Sequence, residues 1–430
     1  MVQPMRPPLA ASGGRFFVLT IVISTLFAAL PARAQGPPAP ESAALVDTIA
    51  QAPNDTAGGV PQRDVFDVLG RILGKAPPSE VVTHTKRGLS LSLLPSVGYN
   101  PAYGAFVGAS IAIGGWLGDP KTTSLSAGSL SGSYAFSGQV SFQFKSDFYT
   151  SNNGWALKGD WRYLDTSQPT FGLGPVNPAA TEYPMNFVLY RFYQSGYKRL
   201  GASPVYAGLG MLIDRYDEIH DIRAEAGEVT PYSVYMGGTP SRTQSVGLSA
   251  NVLVDTRENS INATRGYYWN ASLRSFLPDL GSDFARQSLW SDFRTYAVLP
   301  KKGQNVLAVW SYLWFTFGKA PYLDLPAIGW DTYGRSGRGY VQGHIRGQNQ
   351  AYLEFEYRAQ LRADGLLGAV GFINMTSTST ADNTFDKPDF GFGGGLRIKF
   401  TKRTRTNLAL DAARGQDDQT RFFLALQEAF

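Results

Sequence analysis

Few residues in this 430-residue sequence have the types and spacing that covalent chemistry demands. There is no cysteine, which removes thiol nucleophiles, disulfide frameworks and thiolate zinc sites in one step. Three histidines occur, His84, His220 and His344, too few and too scattered for a histidine-built metal centre. His220 has Asp217, Glu218 and Asp221 beside it, acids able to orient an imidazole, but no serine lies near it to be activated. It reads as a solvated loop histidine. The glycines at 393–395 suit close strand packing better than a phosphate cradle. What remains is electrostatic: the paired carboxylates Glu354 and Glu356, with Arg338 upstream of them. The expectation is a protein that is not an enzyme, with no catalytic residue, cofactor or metal.

The elements that would hold those charges follow from composition and periodicity. Charged residues make up 17% and hydrophobic residues 43%, with a mean hydropathy of −0.16, so apolar side chains are spread thinly. Forty-seven glycines, 22 tyrosines and 26 phenylalanines suit strands, tight turns and aromatic girdles. The net charge of +5 is diluted over the chain without a Lys/Arg cluster, which argues against nucleic acid as a partner. From Leu89 onward the pattern has period two. In residues 139–148, Val140, Phe142, Phe144 and Phe148 oppose Gln139, Ser141, Gln143, Lys145 and Asp147. In residues 350–361, Leu353, Phe355 and Tyr357 oppose Glu354, Glu356 and Arg358. One greasy and one charged face per strand predicts lipid outside and water or polar packing inside. A soluble sandwich also alternates. The leader, the absence of disulfides and strands of about ten residues, long enough for a tilted crossing, favour the membrane barrel.

The fold class expected is therefore all-β, a transmembrane antiparallel β-barrel of about 16 strands with long extracellular loops and short periplasmic turns. Sixteen strands are expected near 89–98, 102–114, 121–134, 138–149, 154–164, 185–198, 204–214, 242–254, 266–277, 286–299, 305–317, 350–362, 366–375, 389–400, 404–412 and 421–430. The long connections are then 165–184, 215–241, 319–349 and 376–388, all at one end. Four domains follow. Residues 1–34 form a signal peptide, with an apolar run ending in the A-x-A pattern Ala32-Arg33-Ala34. Residues 35–62 are a Pro/Ala-rich disordered tether. Residues 63–88 hold a short periplasmic amphipathic helix, with Val65, Phe66, Leu69, Ile72 and Leu73 on one face, and a linker. Residues 89–430 are the barrel. Its final strand steps Phe422, Leu424 and Leu426 along one face to Phe430, the kind of signal that barrel-assembly machinery accepts.

Specific motifs resemble the BamA/TamA superfamily of outer-membrane barrels, also called bacterial surface antigens. Arg338-Gly339-Tyr340, between the eleventh and twelfth strands, is similar to the family's (V/I/M)RG(F/Y) loop, and residues 351–358 (AYLEFEYR) are similar to the strand after it. Asp255, Arg257 and Asn259, followed by Asn262 to Arg265 and Gly266, resemble the family's DxRDN…NPTRG turn, here expected to be periplasmic. The resemblance implies that the long extracellular loop folds back into the lumen, where Arg338 meets acidic wall residues, with Glu354 and Glu356 as its partners. It implies a sharp turn at Gly339 and stacking of Tyr340 at the loop tip. Two departures stand out: Gly337 precedes the arginine in place of an aliphatic residue, and residues 366–375 carry no acid. The stretch before Leu89 is too short for a periplasmic POTRA module, so the resemblance is to a POTRA-less branch.

The resemblance implies residence in the Gram-negative outer membrane after signal-peptide cleavage, in contact with lipopolysaccharide and phospholipid. It also implies reliance on barrel-assembly machinery for insertion and polypeptide cargo as a partner. The expected function is insertion or translocation of polypeptides or other envelope components through a gated lumen or seam. The alternative is a porin-like channel or structural surface antigen without assembly activity. Pro95 in the first strand lacks a ladder donor, which suits an edge or a weakened seam as well as a plain strand end.

Overall fold

A computed structural model describes residues 56–57, 60–74, 88–100, 104–176, 182–299, 304–380, 384–402 and 404–430. The expected signal peptide at 1–34, nearly all of the tether at 35–62, and His84 lie outside the described residues.

An amphipathic helix, α1 (Val65–Ile72), precedes the sheet. Sixteen antiparallel strands follow in one meander, each paired with its sequence neighbours. They are β1 (Gly88–Asn100), β2 (Gly104–Trp116), β3 (Ser126–Ala135), β4 (Val140–Tyr149), β5 (Trp155–Thr170), β6 (Tyr183–Arg199), β7 (Val205–Asp221) and β8 (Thr243–Asp255). Then come β9 (Gly266–Phe276), β10 (Arg286–Val298), β11 (Val306–Gly318), β12 (Asn349–Gln360), β13 (Leu367–Ser379), β14 (Asp389–Thr401), β15 (Thr406–Arg414) and β16 (Thr420–Leu426). Every strand expected from period two is present, because the pleat sends successive side chains to opposite faces. Leu209, Leu248, Leu273, Phe392 and Leu396 form part of an exposed apolar belt outside. Arg191, Asp214, Asn251, Asp292, Glu354 and Arg397 are buried on the other face. This is the wall of a membrane-spanning barrel.

The sheet curls until its two ends approach. A Cβ placed on Gly114 of β2 would lie 3.0 Å from Thr404, in the turn between β14 and β15. Among the described residues no backbone ladder joins β1 to β16. Pro95 sits in β1 opposite Ala109, on the edge strand of the sheet.

Three expectations about strand limits are corrected. β5, β6 and β7 run to 16, 17 and 17 residues, so residues 165–170 and 215–221 are strand, not loop. The ladder continues there because β5 and β6 stay paired as far as Thr170 and Tyr183. His220 is thus a strand-end residue, with Nδ1 2.7 Å from Glu225 Oε1. At the other end of the chain, β16 stops at Leu426 and Gln427 adopts a positive φ of 78°. That left-handed residue turns the chain inward. Phe422 is 82% exposed on the outer face, whereas Phe430 is 6% exposed and packs between Trp310 and Tyr296 inside. Phe430 therefore does not share the outer face of Phe422 and Leu424; the Leu426 side chain lies outside the described residues.

Candidate functional site: the loop clamped in the lumen

The segment joining β11 to β12 is the longest described connection, and it is buried rather than solvated. Tyr322, Leu323, Leu325, Ala327 and Trp330 join inward aromatics of the wall, including Phe187, Tyr216, Trp310, Tyr312 and Tyr352, in one apolar cluster. Burying that many apolar side chains offsets the entropy of ordering a long loop. Polar ties then set its path. Asp331 accepts hydrogen bonds from the backbone N–H groups of Tyr333, Arg335 and Ser336 and from the Ser336 hydroxyl. Arg162 on β5 donates to the carbonyls of Asp331 and Thr332 at 3.1 and 3.0 Å. Arg346 is fully buried and donates to the carbonyls of Tyr322, Leu323 and Leu325.

At the centre stands Arg338, 5% exposed. Its Nη2 bonds Glu354 and lies 2.5 Å from Glu356 Oε2, while Nη1 lies 3.1 Å from Asp411 Oδ2. Glu354 and Glu356 share a face because they are two residues apart on β12; Asp411 arrives on the same side from β15. The guanidinium carbon lies over the Phe372 ring, 3.5 Å from its centroid. A planar fork can meet three carboxylates and stack on an arene at once, which an ammonium cannot. Arg358 binds Glu356 at 2.7 Å, and Arg397 binds Asp411 at 2.5 Å and Glu428 at 2.7 Å. Three guanidiniums and four carboxylates thus form one buried network. Each charge there is partnered, which is the condition for tolerating burial.

Gly339 has a φ of 109°, and a Cβ there would approach the backbone of Arg414 to 2.9 Å. Only glycine fits that close approach without strain. Tyr340 does not stack at the loop tip. It is buried, its hydroxyl donates to the Phe390 carbonyl at 2.5 Å and accepts from Gln416 N–H at 3.0 Å. Burial pushes its phenol up to about 12. The ring points to the sheet because the Gly339 turn brings it against β14 and the β15–β16 connection. His344 stacks on Phe171 at 4.0 Å, and burial holds its imidazole down to about 4.

The second motif lies apart, in the turn between β8 and β9 at the α1 end of the sheet. Arg257 grips Asp255 through two hydrogen bonds of 2.9 and 2.7 Å, and Tyr149 donates to the same carboxylate. Asn259 Oδ1 accepts from the N–H groups of Ile261 and Asn262, both at 2.8 Å. Arg265 is exposed, and Gly266 has a φ of 88° with no room for a Cβ against Thr256. Arg358 links the two motifs, donating to the carbonyls of Ala263 and Phe430 as well as to Glu356. Asp411, Phe372, Arg397 and Glu428 were not singled out from sequence. Strand parity was the available signal: Asp411 is the inward acid in a run of Ala and Leu.

The chain is similar in structure to BamA and CdiB. It matches BamA from Haemophilus ducreyi lacking POTRA domains 1-3 at 17% identity and a TM-score of 0.46, over 80% of this chain and 70% of that one. It matches CdiB from Escherichia coli at 11% identity and a TM-score of 0.47, over 79% of this chain and 61% of that one. For CdiB from Acinetobacter baumannii the values are 10%, 0.45, 80% and 65%. The chain therefore spans less than two thirds of either CdiB chain. No family model and no curated protein matches it. Residue roles accordingly rest on this chain's own geometry.

Proposed function

We propose that this protein is an outer-membrane barrel that inserts or translocates polypeptides or other envelope components through a gated lumen or seam, and that it does no covalent chemistry. The observation that carries the reading is the clamp: Arg338 held by Glu354, Glu356 and Asp411, with its loop filling the lumen. A simple diffusion pore gains nothing from burying a loop on a charged network whose assembly costs desolvation. The lack of a β1–β16 ladder among the described residues supports a seam able to part. Cargo, in this reading, meets the edge strand by added backbone pairing, the ordinary fate of an uncovered edge.

A porin-like channel is the second reading. It is favoured by a residual lumenal cavity lined by Asp147, Lys158, Asp292 and Arg294, charges of both signs. Two measurements separate the readings: the yield of a reporter barrel folding into vesicles that contain this protein, and conductance in planar bilayers. Both are taken with the native chain and with Arg338→Ala. The first reading expects native protein to raise reporter yield and the variant to lose that gain. Unchanged yield and conductance in the variant would remove its basis.

A further inference from the structure

The helix α1 has two faces with opposite fates. Its polar side is fastened to the sheet. Asp64 caps the helix, accepting from the N–H groups of Phe66 and Asp67 at 3.0 and 3.1 Å, and the Asp67 carboxylate accepts in turn from the Asp64 N–H at 3.0 Å. Asp64 also accepts from the backbone N–H of Lys402 at 3.0 Å, and the Lys402 ammonium lies 2.9 Å from both oxygens of Asp67. Arg63 N–H donates to the Asp364 carbonyl in the turn between β12 and β13. These ties fix the helix at the end of the sheet where the short turns lie.

Its apolar side is left uncovered. Val65, Phe66, Val68, Leu69, Ile72 and Leu73 fall on one continuous arc at helical spacing. Phe66, Leu69, Ile72 and Leu73 are 52%, 46%, 74% and 69% exposed. In water this is a poor arrangement, since ionic ties would be holding greasy side chains against solvent. The neighbour decides what covers them. Phe66 meets Phe400 edge to face, with ring centroids 5.3 Å apart. Phe400 lies at the bulge between Lys399 and Thr401 near the end of β14, the strand whose Phe392 and Leu396 point outward into the exposed apolar belt. The helix face therefore adjoins the end of a strand whose outward residues belong to the belt. The charges beside it are mainly basic: Arg71 is exposed, and Arg63 and Arg362, with side chains 39% and 50% exposed, share the single acid Asp364 at 4.0 and 2.9 Å, which leaves a net positive rim.

We propose that α1 is an interfacial anchor whose apolar arc inserts into the periplasm-facing leaflet of the membrane beside β14, with the basic rim meeting anionic phospholipid headgroups. Such a helix lies in the plane of the interface, its greasy face roughly 5–10 Å deep. The inference rests on the reading that the outer belt touches lipid, and the test separates the two.

The cysteine-free chain allows single sites to be labelled. Ile72→Cys, Arg71→Cys and, as a belt control, Leu209→Cys are each coupled to an environment-sensitive fluorophore. The full chain is folded into phosphatidylethanolamine–phosphatidylglycerol vesicles and challenged with lipid-attached nitroxide and aqueous iodide. Position 72 is expected to emit to the blue, lose intensity to the nitroxide and resist iodide, as position 209 does, while position 71 is the more sensitive to iodide. A nitroxide-insensitive, iodide-quenched position 72 beside a lipid-quenched position 209 overturns the anchor alone. Insensitivity to nitroxide at both 72 and 209 overturns the membrane reading, and the anchor with it. Protection of position 72 from both quenchers that vanishes on dilution of protein in the bilayer indicates a second copy as the cover, and also overturns the anchor. As a further check, Ile72→Asp with the fluorophore at position 69 is expected to lose the nitroxide quenching seen at 69 without that change.

Discussion

The two ends of the sheet differ in how their inner face is held. Strands β1, β2 and β3 contain no charged residue at all. Where their inward positions are described they carry Ser, Gly, Ala, Phe106 and Trp116, and Ser133 to Ser141 is the one described hydroxyl pair across to β4. Strands β12 to β16 enclose the Arg338, Arg358 and Arg397 network, and β16 is itself tied to the loop by Arg421, which donates to the Gly339 carbonyl at 2.6 Å. One wall is fastened to the plug side chain by side chain. The other is held by its backbone ladder. The difference teaches where opening would be cheapest: parting β1 from β16 breaks no described ion pair, whereas moving β12 or β15 breaks several.

The strongest way to break this contrast is to empty its fastened side. Arg338→Ala leaves Glu354, Glu356 and Asp411 buried without their central cation, and removing one member of a buried network costs roughly 3–5 kcal/mol. The midpoint of denaturant unfolding in detergent is expected to fall accordingly, and protease is expected to cut the 319–348 segment faster. Arg338→Lys is expected to recover only part, because one ammonium cannot span three carboxylates. An unchanged midpoint in both variants would mean that the clamp holds nothing.

A smaller loss is expected from Gly339→Ala, which keeps every charge but forces a side chain into a left-handed turn against Arg414. Strain of that kind costs on the order of 1–3 kcal/mol. Its signature is a weakened loop with no change in net charge, so the salt dependence of the unfolding midpoint should match the native protein.

Acid should loosen the same loop. The imidazole of His344 sits between Phe171 and Tyr340, with Asp417 3.8 Å from Nδ1. Burial lowers its value from an ordinary 6.5 to about 4, while Asp417 opposes and Arg421 reinforces that shift. Between those limits the undocked loop binds a proton that the docked loop does not. Docking is therefore expected to be at full strength above about 6.5 and to weaken as pH falls towards 4. Proteolysis of the loop across that range checks the window, and His344→Phe should flatten the profile.

The smallest effect belongs to the uncharged end. Ser131→Ala on β3 is expected to change stability by no more than about 0.5 kcal/mol. Hydrogen exchange sharpens the point: amides of β1 to β3 should exchange sooner than those of β12 to β15. Equal protection across the sheet would erase the contrast.

Much of this was legible from residue order alone. Alternation at 139–148 and 350–361 located strands because a pleat imposes period two on any segment with one oily side. The pairing of Arg338 with Glu354 and Glu356 rested on a resemblance plus parity. Asp411 was missed because its partner lies 73 positions earlier, and nothing local marks such a separation. Tyr340 and Phe430 were misplaced for a related reason. A left-handed residue at Gly339 or Gln427 redirects the chain, and a face inferred from spacing holds only while the strand continues. Extension of β5 to β7 past the expected ends depended on mutual pairing, which no single segment carries.

Sequence by itself determined the number of strands, their inner and outer faces, and the amphipathic arc of α1, since each is a periodicity within one short stretch. Tertiary structure alone decided that three strands and a loop converge on one guanidinium, that Phe430 turns inward, and that the oily arc of α1 meets the end of β14 at Phe400. Those outcomes depend on which distant residues the curled sheet brings within a few ångströms, and burial and electrostatic energy respond to that distance rather than to position along the chain.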